Sequence, residues 1–251
     1  MLIFLQARSN SSRFPKKVMA PLLGMPMILF QIQRVLLAKF DFRLVVLTSS
    51  EQSDDELSSI LQNAGIEVFR GDLIDVNLRF RQALEYLEVN QGHFIRITAD
   101  CPLLCLDLLE FGLEEVILHE WDYFSNTVIR TFPDGLDFEI VSIPRFIEQD
   151  RSKFDQYDRE HVTPYFYRNS SKYSIGQLVS KYDYSRIRLT VDYPSDLEMV
   201  SKIVNLDSFD SNNTAYSHLI NLYNKVNGLR EGSQLKHSMD AKVERYSNGE
   251  A

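Results

Sequence analysis

The sequence predicts an α/β protein with a predominantly parallel central sheet and helices on both faces. Short apolar runs alternate with segments whose apolar residues recur at helical spacing, from Leu2 as far as His119. The chain has 251 residues, 44% hydrophobic and 25% charged, enough to bury about 70–75% of its unfolded surface without a disulfide or metal staple. No apolar run approaches the roughly 20 residues of a membrane span.

The elements follow in order. Leu2–Leu5 reads as a first buried strand; it stops at Gln6 and Arg8 and is too short for a secretion signal. From Pro26 to Ala38, Met27, Ile28, Ile32, Val35 and Leu36 share one helical face, with Pro26 suited to a first turn. Arg43–Thr48 is a buried strand. Ser53 to Ala64 is an amphipathic helix with Leu57, Ile60, Leu61 and Ala64 aligned and Ser53 as its N-cap. Gly65 ends that helix and Ile66–Phe69 is a strand. Asp75 to Leu87 is a helix, His93–Thr98 a strand and Leu106–His119 a helix. The rhythm then changes. Trp121 to Ser142, rich in aromatic and β-branched residues and broken by Pro133-Asp134-Gly135, reads as antiparallel strands around a turn. Asp158 to Arg168 is helical with a break at Pro164. Arg186–Val191 is a late strand, Ser195–Val204 a helix capped by Ser195, and Thr214–Val226 a last helix. From Arg230 the chain is polar without an apolar period. It reads as a tail over 230–251, disordered or docked on a partner, after a single domain over 1–229.

The net charge of −8 argues against nucleic acid or an acidic membrane as partner. The charge is unevenly spread: no Asp or Glu precedes Asp41, whereas Arg8, Arg13, Lys16, Lys17, Arg34 and Lys39 do. Such a cluster is either a solvated basic face or a site for a small polyanion. Cys101 and Cys105 match no common zinc or redox spacing and read as core thiols of a cytoplasmic protein.

The segment after the first strand favours the polyanion. In a parallel sheet, ligands bind beyond the carboxyl ends of the strands. Ser9, Asn10, Ser11 and Ser12 are small enough to turn backbone amides inward, and Arg8, Arg13 and Lys17 bring positive charge: together a phosphate cradle. The loop is neither a Walker sequence nor a dinucleotide fingerprint. Asp100 follows the strand ending at Thr98, and Asp192 follows Arg188-Leu-Thr-Val. Two carboxylates at strand ends suit Mg²⁺ shared with phosphate oxygens, or each caps the helix that follows. Asp196 reads as belonging to a helix N-terminus.

The string QARSNSSRFPKKVMAPLLGMPM resembles the opening of the cytidylyltransferases of the spore-coat polysaccharide (SpsF-like) type, relatives of the CMP-sialate and CMP-Kdo synthetases. Five further segments match. They are Asp100-Cys-Pro-Leu, Val191-Asp-Tyr-Pro-Ser-Asp-Leu, Phe69-Arg-Gly with Val76-Asn-Leu-Arg79, Ser125-Asn126 with Arg130-Thr-Phe-Pro-Asp-Gly-Leu-Asp-Phe-Glu139, and Arg159-Glu-His-Val-Thr-Pro-Tyr. The family usually has glycine where this chain has Asn10, Lys16 and Ala99, and threonine at Tyr193. The resemblance spans roughly residues 2–205.

It implies a nucleotide-diphospho-sugar transferase (GT-A-like) fold and transfer of CMP from CTP to an acidic, nonulosonic-acid-like sugar, with release of pyrophosphate. Arg8, Arg13, Lys17, Asp100 and Asp192 would be catalytic, with Mg²⁺ on Asp100 and Asp192. Gln6, Ala7, Ser9, Asn10, Ser11, Ser12, Arg79 and Thr98 would join the basic residues around the nucleotide. Arg79 is equally readable as a solvated helical arginine. Asn126, Arg130, Asp134, Asp137, Glu139, Arg159 and His161 would line the acceptor site. They lie within 121–168, a segment at the acceptor pocket or at a dimer contact that helps form it. His161 is either structural or a general base. A cytoplasmic homodimer is the expected state. Three other readings remain: a GT-A-type glycosyltransferase, disfavoured because Cys-Pro rather than a second Asp follows Asp100; a non-catalytic nucleotide-binding relative; and a purely structural assembly protein using the polar tail and segment 121–168, which would bind no CTP.

Overall fold

The computed structural model describes residues 1–228 and 241–246. The chain begins with β1 (Leu2–Gln6), a long loop, a 3-10 turn at Lys17–Met19, a small hairpin of β2 (Pro21–Leu22) and β3 (Met25–Pro26), and α1 (Met27–Val35). Strands and helices then alternate through β4 (Arg43–Ser49), α2 (Asp55–Asn63), β5 (Glu67–Gly71), α3 (Val76–Tyr86), β6 (His93–Thr98) and α4 (Leu106–His119). There follow β7 (Tyr123–Ser125), β8 (Glu139–Ser142), α5 (Ile143–Ile147), α6 (Gln156–His161), α7 (Pro164–Arg168), β9 (Ile175–Ser180), α8 (Pro194–Val204), α9 (Tyr216–Val226) and β10 (Ala241–Arg245).

The large sheet has the order β10-β9-β7-β8-β6-β1-β4-β5. Within it β1 pairs in parallel with β4 and β6, β4 with β5, and β7 with β9, while β8 and β10 run against their neighbours. The expected antiparallel strands around Pro133–Gly135 are thus β7 and β8. Alternation along each strand sends side chains to opposite faces. Ile3, Leu5, Val46, Ile95 and Ile97 pack with α1, α2, α4, α8 and α9 on one face. Leu2, Phe4, Val45, Leu47 and Phe94 pack with α3, α5 and α7 on the other. There Phe4 meets Phe80 edge to face at 5.5 Å. Each fully buried ring of this kind contributes roughly 1.5–3 kcal/mol. Cys101 and Cys105 are buried and unpaired.

Several expectations need correction. Arg186–Val191 is not a sheet strand and makes only an isolated bridge, Asp134 to Arg188. Its backbone is engaged elsewhere: the amides of Leu189 and Thr190 reach the Asp134 carbonyl, and that of Val191 reaches the Asp100 carbonyl. One unforeseen strand is β9, whose Ile-Gly-Gln run breaks apolar alternation. Gly176 is required there because a Cβ would lie 2.7 Å from both the Trp121 and Phe124 rings. Ser53 does not cap α2. Ser195 does not cap α8, which starts at Pro194 with the Asp196 carboxylate accepting from the amides of Asp192 (2.8 Å) and Tyr193 (2.9 Å). Pro164 breaks the 158–168 segment as expected, opening α7. Within the expected tail, Ala241–Arg245 pairs with β9 as an edge strand; the rest of that expectation falls outside the described residues.

Candidate active site

The loop after β1 is shaped by its own backbone and by one buried carboxylate. The Ser9 carbonyl accepts from the amides of Ser11 (3.1 Å) and Lys16 (2.8 Å), which draws the loop closed. Lys16 holds the left-handed conformation (φ 59°, ψ 20°); Asn10 does not, since it is not among the positive-φ residues. The steric demand that glycine would relieve therefore falls at Lys16, not at Asn10. Asp54, fully buried before α2, accepts from the Ser9 amide (2.6 Å), the Ser49 amide (3.1 Å) and the Ser49 hydroxyl. Burial opposes its ionisation, but these donors outweigh it and hold the carboxyl below its ordinary value of 3.8. Asp54→Ala leaves two buried amides without an acceptor and should cost roughly 2–4 kcal/mol, read from urea unfolding at neutral pH. With a depressed folded pKa, the carboxylate's contribution is complete above the ordinary value and is lost as pH falls through the lowered one. The cost of the variant should therefore shrink in acid.

Lys17 rises from the 3-10 turn and is 8% exposed. Its Nζ lies 3.1 Å from Asp100 Oδ2 and 2.9 Å from Asp192 Oδ1, so the two carboxylates converge on one cation. Arg13 also reaches Asp192 Oδ1 at 2.8 Å. Arg188 donates to Asp192 Oδ2 at 2.9 Å and to Asp134 Oδ2 at 2.8 Å. Burial works against the charge on Asp192, yet Lys17, Arg188 and Arg13 prevail and keep its carboxyl below the usual range.

These groups border a cavity of about 420 Å³ at the carboxyl edge of β1 and β6. Of the residues that the sequence reading assigns to the nucleotide and the metal, Gln6, Ala7, Arg8, Ser11, Arg13, Lys17, Arg79, Thr98, Asp100 and Asp192 line it. Ser9, Asn10 and Ser12 do not: Ser9 is buried against Asp54, and Asn10 and Ser12 are exposed. The lining carries five cationic side chains (Arg8, Arg13, Lys17, Arg79, Arg96) against three carboxylates (Asp100, Asp192, Glu160). That excess suits a polyanion. Arg79 is not a solvated arginine. It is 1% exposed and donates to the carbonyls of Asp72 (2.8 Å) and Leu73 (3.1 Å), clamping the loop before α3. Burial pulls its guanidinium down to about 10.

A second cavity, about 330 Å³, adjoins the first and shares Arg96, Thr98 and His161 with it. Of the residues that the sequence reading assigns to the acceptor, Arg130, Asp137, Glu139 and His161 line it. Three expected residues do not reach it. Asn126 is 1% exposed and spends its amide on the Leu136 carbonyl and the Phe138 amide, fastening the turn between β7 and β8. Asp134 turns to Arg188. Arg159 faces the N-terminus of α3, 2.8 Å from Asp75, and its neighbour Glu160 meets the first cavity instead. The cations of the second cavity are already partnered: Arg130 is bidentate with Asp137 (2.8 and 2.6 Å), and Arg96 pairs with Glu139.

Arg96, Arg188, Asp54 and Glu160 escaped the sequence reading. Arg96 had a legible signal, a charge within the apolar run of β6. It donates to Gln6 Oε1 (3.2 and 3.0 Å), and this fixes that carboxamide at the cavity floor. Among the described residues no group of three or more His, Cys, Asp or Glu side chains is arranged to hold a metal ion.

The Cytidylyltransferase family profile matches residues 2–233. The spore coat polysaccharide biosynthesis protein SpsF of Bacillus subtilis is 30% identical over 233 residues, 90% of this chain and 94% of that protein. The structure is similar to that of a cytidylyltransferase from Leptospira borgpetersenii serovar Hardjo-bovis, with TM-score 0.83 and 29% identity over 94% of this chain and 98% of that one. It shares its fold with a CMP:2-keto-3-deoxy-manno-octonic acid synthetase solved with CTP (TM-score 0.58, 17% identity, 80% of this chain and 96% of that one).

Proposed function

The chain belongs to the cytidylyltransferase family, and we propose that it transfers CMP from CTP to a hydroxyl of an acidic, nonulosonic-acid-like sugar, with release of pyrophosphate. The observation that carries this reading is the convergence of Asp100 and Asp192 on Lys17 beneath a cationic loop. The first cavity would take the triphosphate and the second the sugar. The relative from Bacillus subtilis supports a place in surface polysaccharide precursor synthesis.

The reaction is an in-line attack on the α-phosphorus, with negative charge growing on the oxygen that bridges to the leaving pyrophosphate. Arg8, Arg13 and Lys17, which line the first cavity, would face that charge, and positioning and electrostatics would supply the acceleration without a protein nucleophile. The donor set fits Mg²⁺, because two carboxylate oxygens already meet around one cation and Mg²⁺ takes one or two carboxylates plus phosphate oxygens and water. Asp100 and Asp192 would hold the ion, which when bound would align the phosphates and neutralise their charge. With two protein ligands only, it would bind chiefly together with nucleotide. The reading includes a homodimer contact through 121–168, where Ile129 is 45% and Tyr157 52% exposed. Among the described residues no helix is long and apolar enough to cross a membrane; we place the protein in the cytoplasm, beside its CTP.

The test is pyrophosphate release from CTP and Mg²⁺ in the presence of N-acetylneuraminic acid or 2-keto-3-deoxy-manno-octonic acid. Release that requires both nucleotide and sugar is expected. Binding of CTP without release for any acidic sugar would contradict the acceptor class.

A further inference from the structure

Val162, between α6 and α7, has φ 75° and ψ −51°, a conformation that a β-branched residue adopts only at a cost. The Thr163 amide donates to the His161 carbonyl at 2.9 Å, so the three residues form a γ-turn of the strained hand. The surroundings hold it. Val162 is fully buried, its amide donates to the Asp158 carbonyl (3.1 Å), and its carbonyl accepts from Asn77 Nδ2 on α3 (2.9 Å). Thr163 donates its hydroxyl to Glu139, and Pro164 starts α7. Neither cavity is lined by Val162 itself. The residue this strained turn places is His161, which lines both.

Only Arg96, Thr98 and His161 are common to the two cavities, so they mark where a nucleotide in one and a sugar in the other would meet. Arg96 has no acceptor atom and is tied to Glu139 and Gln6. Thr98 is a hydroxyl, within 3.4 Å of the Cys101 thiol. Asp192 is engaged by Lys17, Arg13 and Arg188 and its basicity is spent on them. His161 is exposed and rests against the Tyr157 ring at 4.2 Å, and its imidazole has no hydrogen bond or ion pair to another described residue. The charged groups around it are Glu160 and Arg159 on its own helix, Arg96 from β6, and Arg130, Asp137 and Glu139 across the second cavity.

We propose that His161 is the catalytic base that takes the proton from the acceptor hydroxyl. This rests on the transfer reaction above. The hydroxyl gives its proton to an imidazole nitrogen, and its oxygen forms the bond to the α-phosphorus. The bond from that phosphorus to the bridging oxygen breaks, and pyrophosphate leaves with the electron pair. The imidazolium then returns its proton to water through its exposed face.

The test uses the full-length protein, CTP, Mg²⁺ and whichever of N-acetylneuraminic acid or 2-keto-3-deoxy-manno-octonic acid the parent turns over. For His161→Ala, kcat should fall by about 100-fold or more, while stabilisation by CTP stays at the parent's level and added imidazole restores part of the lost rate. His161→Gln should lose the same rate, because its amide accepts no proton. A rate within about threefold of the parent's in either variant would overturn the base, as would a loss that imidazole leaves unrelieved or that comes with loss of CTP stabilisation. No release by the parent itself would overturn the transfer reading, and the base with it; release by parent and variants alike would overturn the base alone.

Discussion

Asp100→Ala is expected to lower turnover by about 1,000-fold or more while the protein stays folded. The side chain is 30% exposed, and its removal costs Lys17 one of two partners while leaving Asp192. The structural work at this position is done by the backbone: the Asp100 carbonyl accepts from the Val191 amide (2.7 Å) and the Thr190 hydroxyl (3.2 Å), and alanine keeps both bonds. The stability change should stay near 1 kcal/mol or below, as for partly exposed ion pairs. Turnover is another matter, since one of two carboxylates assigned to the ion is gone. Losing several kcal/mol of charge stabilisation in the transition state corresponds to about three powers of ten. The checks are kcat beside urea unfolding. Near-parent turnover in a folded variant would remove Asp100 from the metal site.

Gly135→Ala should act on the fold with comparable force. Gly135 has φ +108°, and a Cβ there would lie 2.3 Å from the Thr190 nitrogen and 2.5 Å from the Leu189 carbonyl carbon. Those backbone atoms cannot move freely, because the Asp134 carbonyl holds the Leu189 and Thr190 amides at 2.7 and 3.0 Å. The strained φ and the overpacking together should cost about 3 kcal/mol or more, which lowers Tm by roughly 6–12 °C for a chain of this size. The displaced segment carries Arg188 and leads to Asp192, so nucleotide binding should weaken as well. Gly92→Ala is the control: its φ is +81° but nothing lies within 4 Å of the added carbon, so only about 1 kcal/mol of strain remains. Equal effects of the two substitutions would show that the contact with Leu189 and Thr190 is not the determinant.

The sequence made the first cavity more legible than the second, for physical reasons. Asp100 could be placed because it follows the apolar run of β6 to the sheet edge, and local pattern finds sheet edges; Lys17 lies in the loop that leaves β1, and Asp192 follows an apolar run that is not a strand of the sheet. α4 was read with both its ends because its apolar period is unbroken. Residues whose partners are distant in the chain were misread. Nothing local distinguishes Asn126, which is consumed by Leu136 and Phe138, from an asparagine facing a ligand. Arg159 and Asp75 are 84 residues apart, and only the packing of α6 on α3 joins them. Nothing local marks Asp54, just before α2, as the partner of Ser9; that bond is set by the adjacency of β1 and β4. The Arg186–Val191 run has a strand's composition, but Asp134 and Asp100 take its amides before a neighbouring strand can. β9 failed the opposite way, since Gly176 and Gln177 hide a strand that the Trp121 and Phe124 rings require.

The central claim is that the cationic cavity beside Lys17, Asp100 and Asp192 binds CTP with Mg²⁺. The most direct measurement is thermal unfolding with CTP, UTP, ATP or GTP, each with and without Mg²⁺. A ligand that binds only the folded state, at 100 times its Kd, stabilises it by about 2.7 kcal/mol, or roughly 5–11 °C for this size of chain. A shift of that order for CTP, larger with Mg²⁺ and exceeding that of the other three nucleotides, is the predicted result. No shift with any nucleotide at millimolar concentration, or a shift for UTP or a purine nucleotide that exceeds the one for CTP, would contradict it.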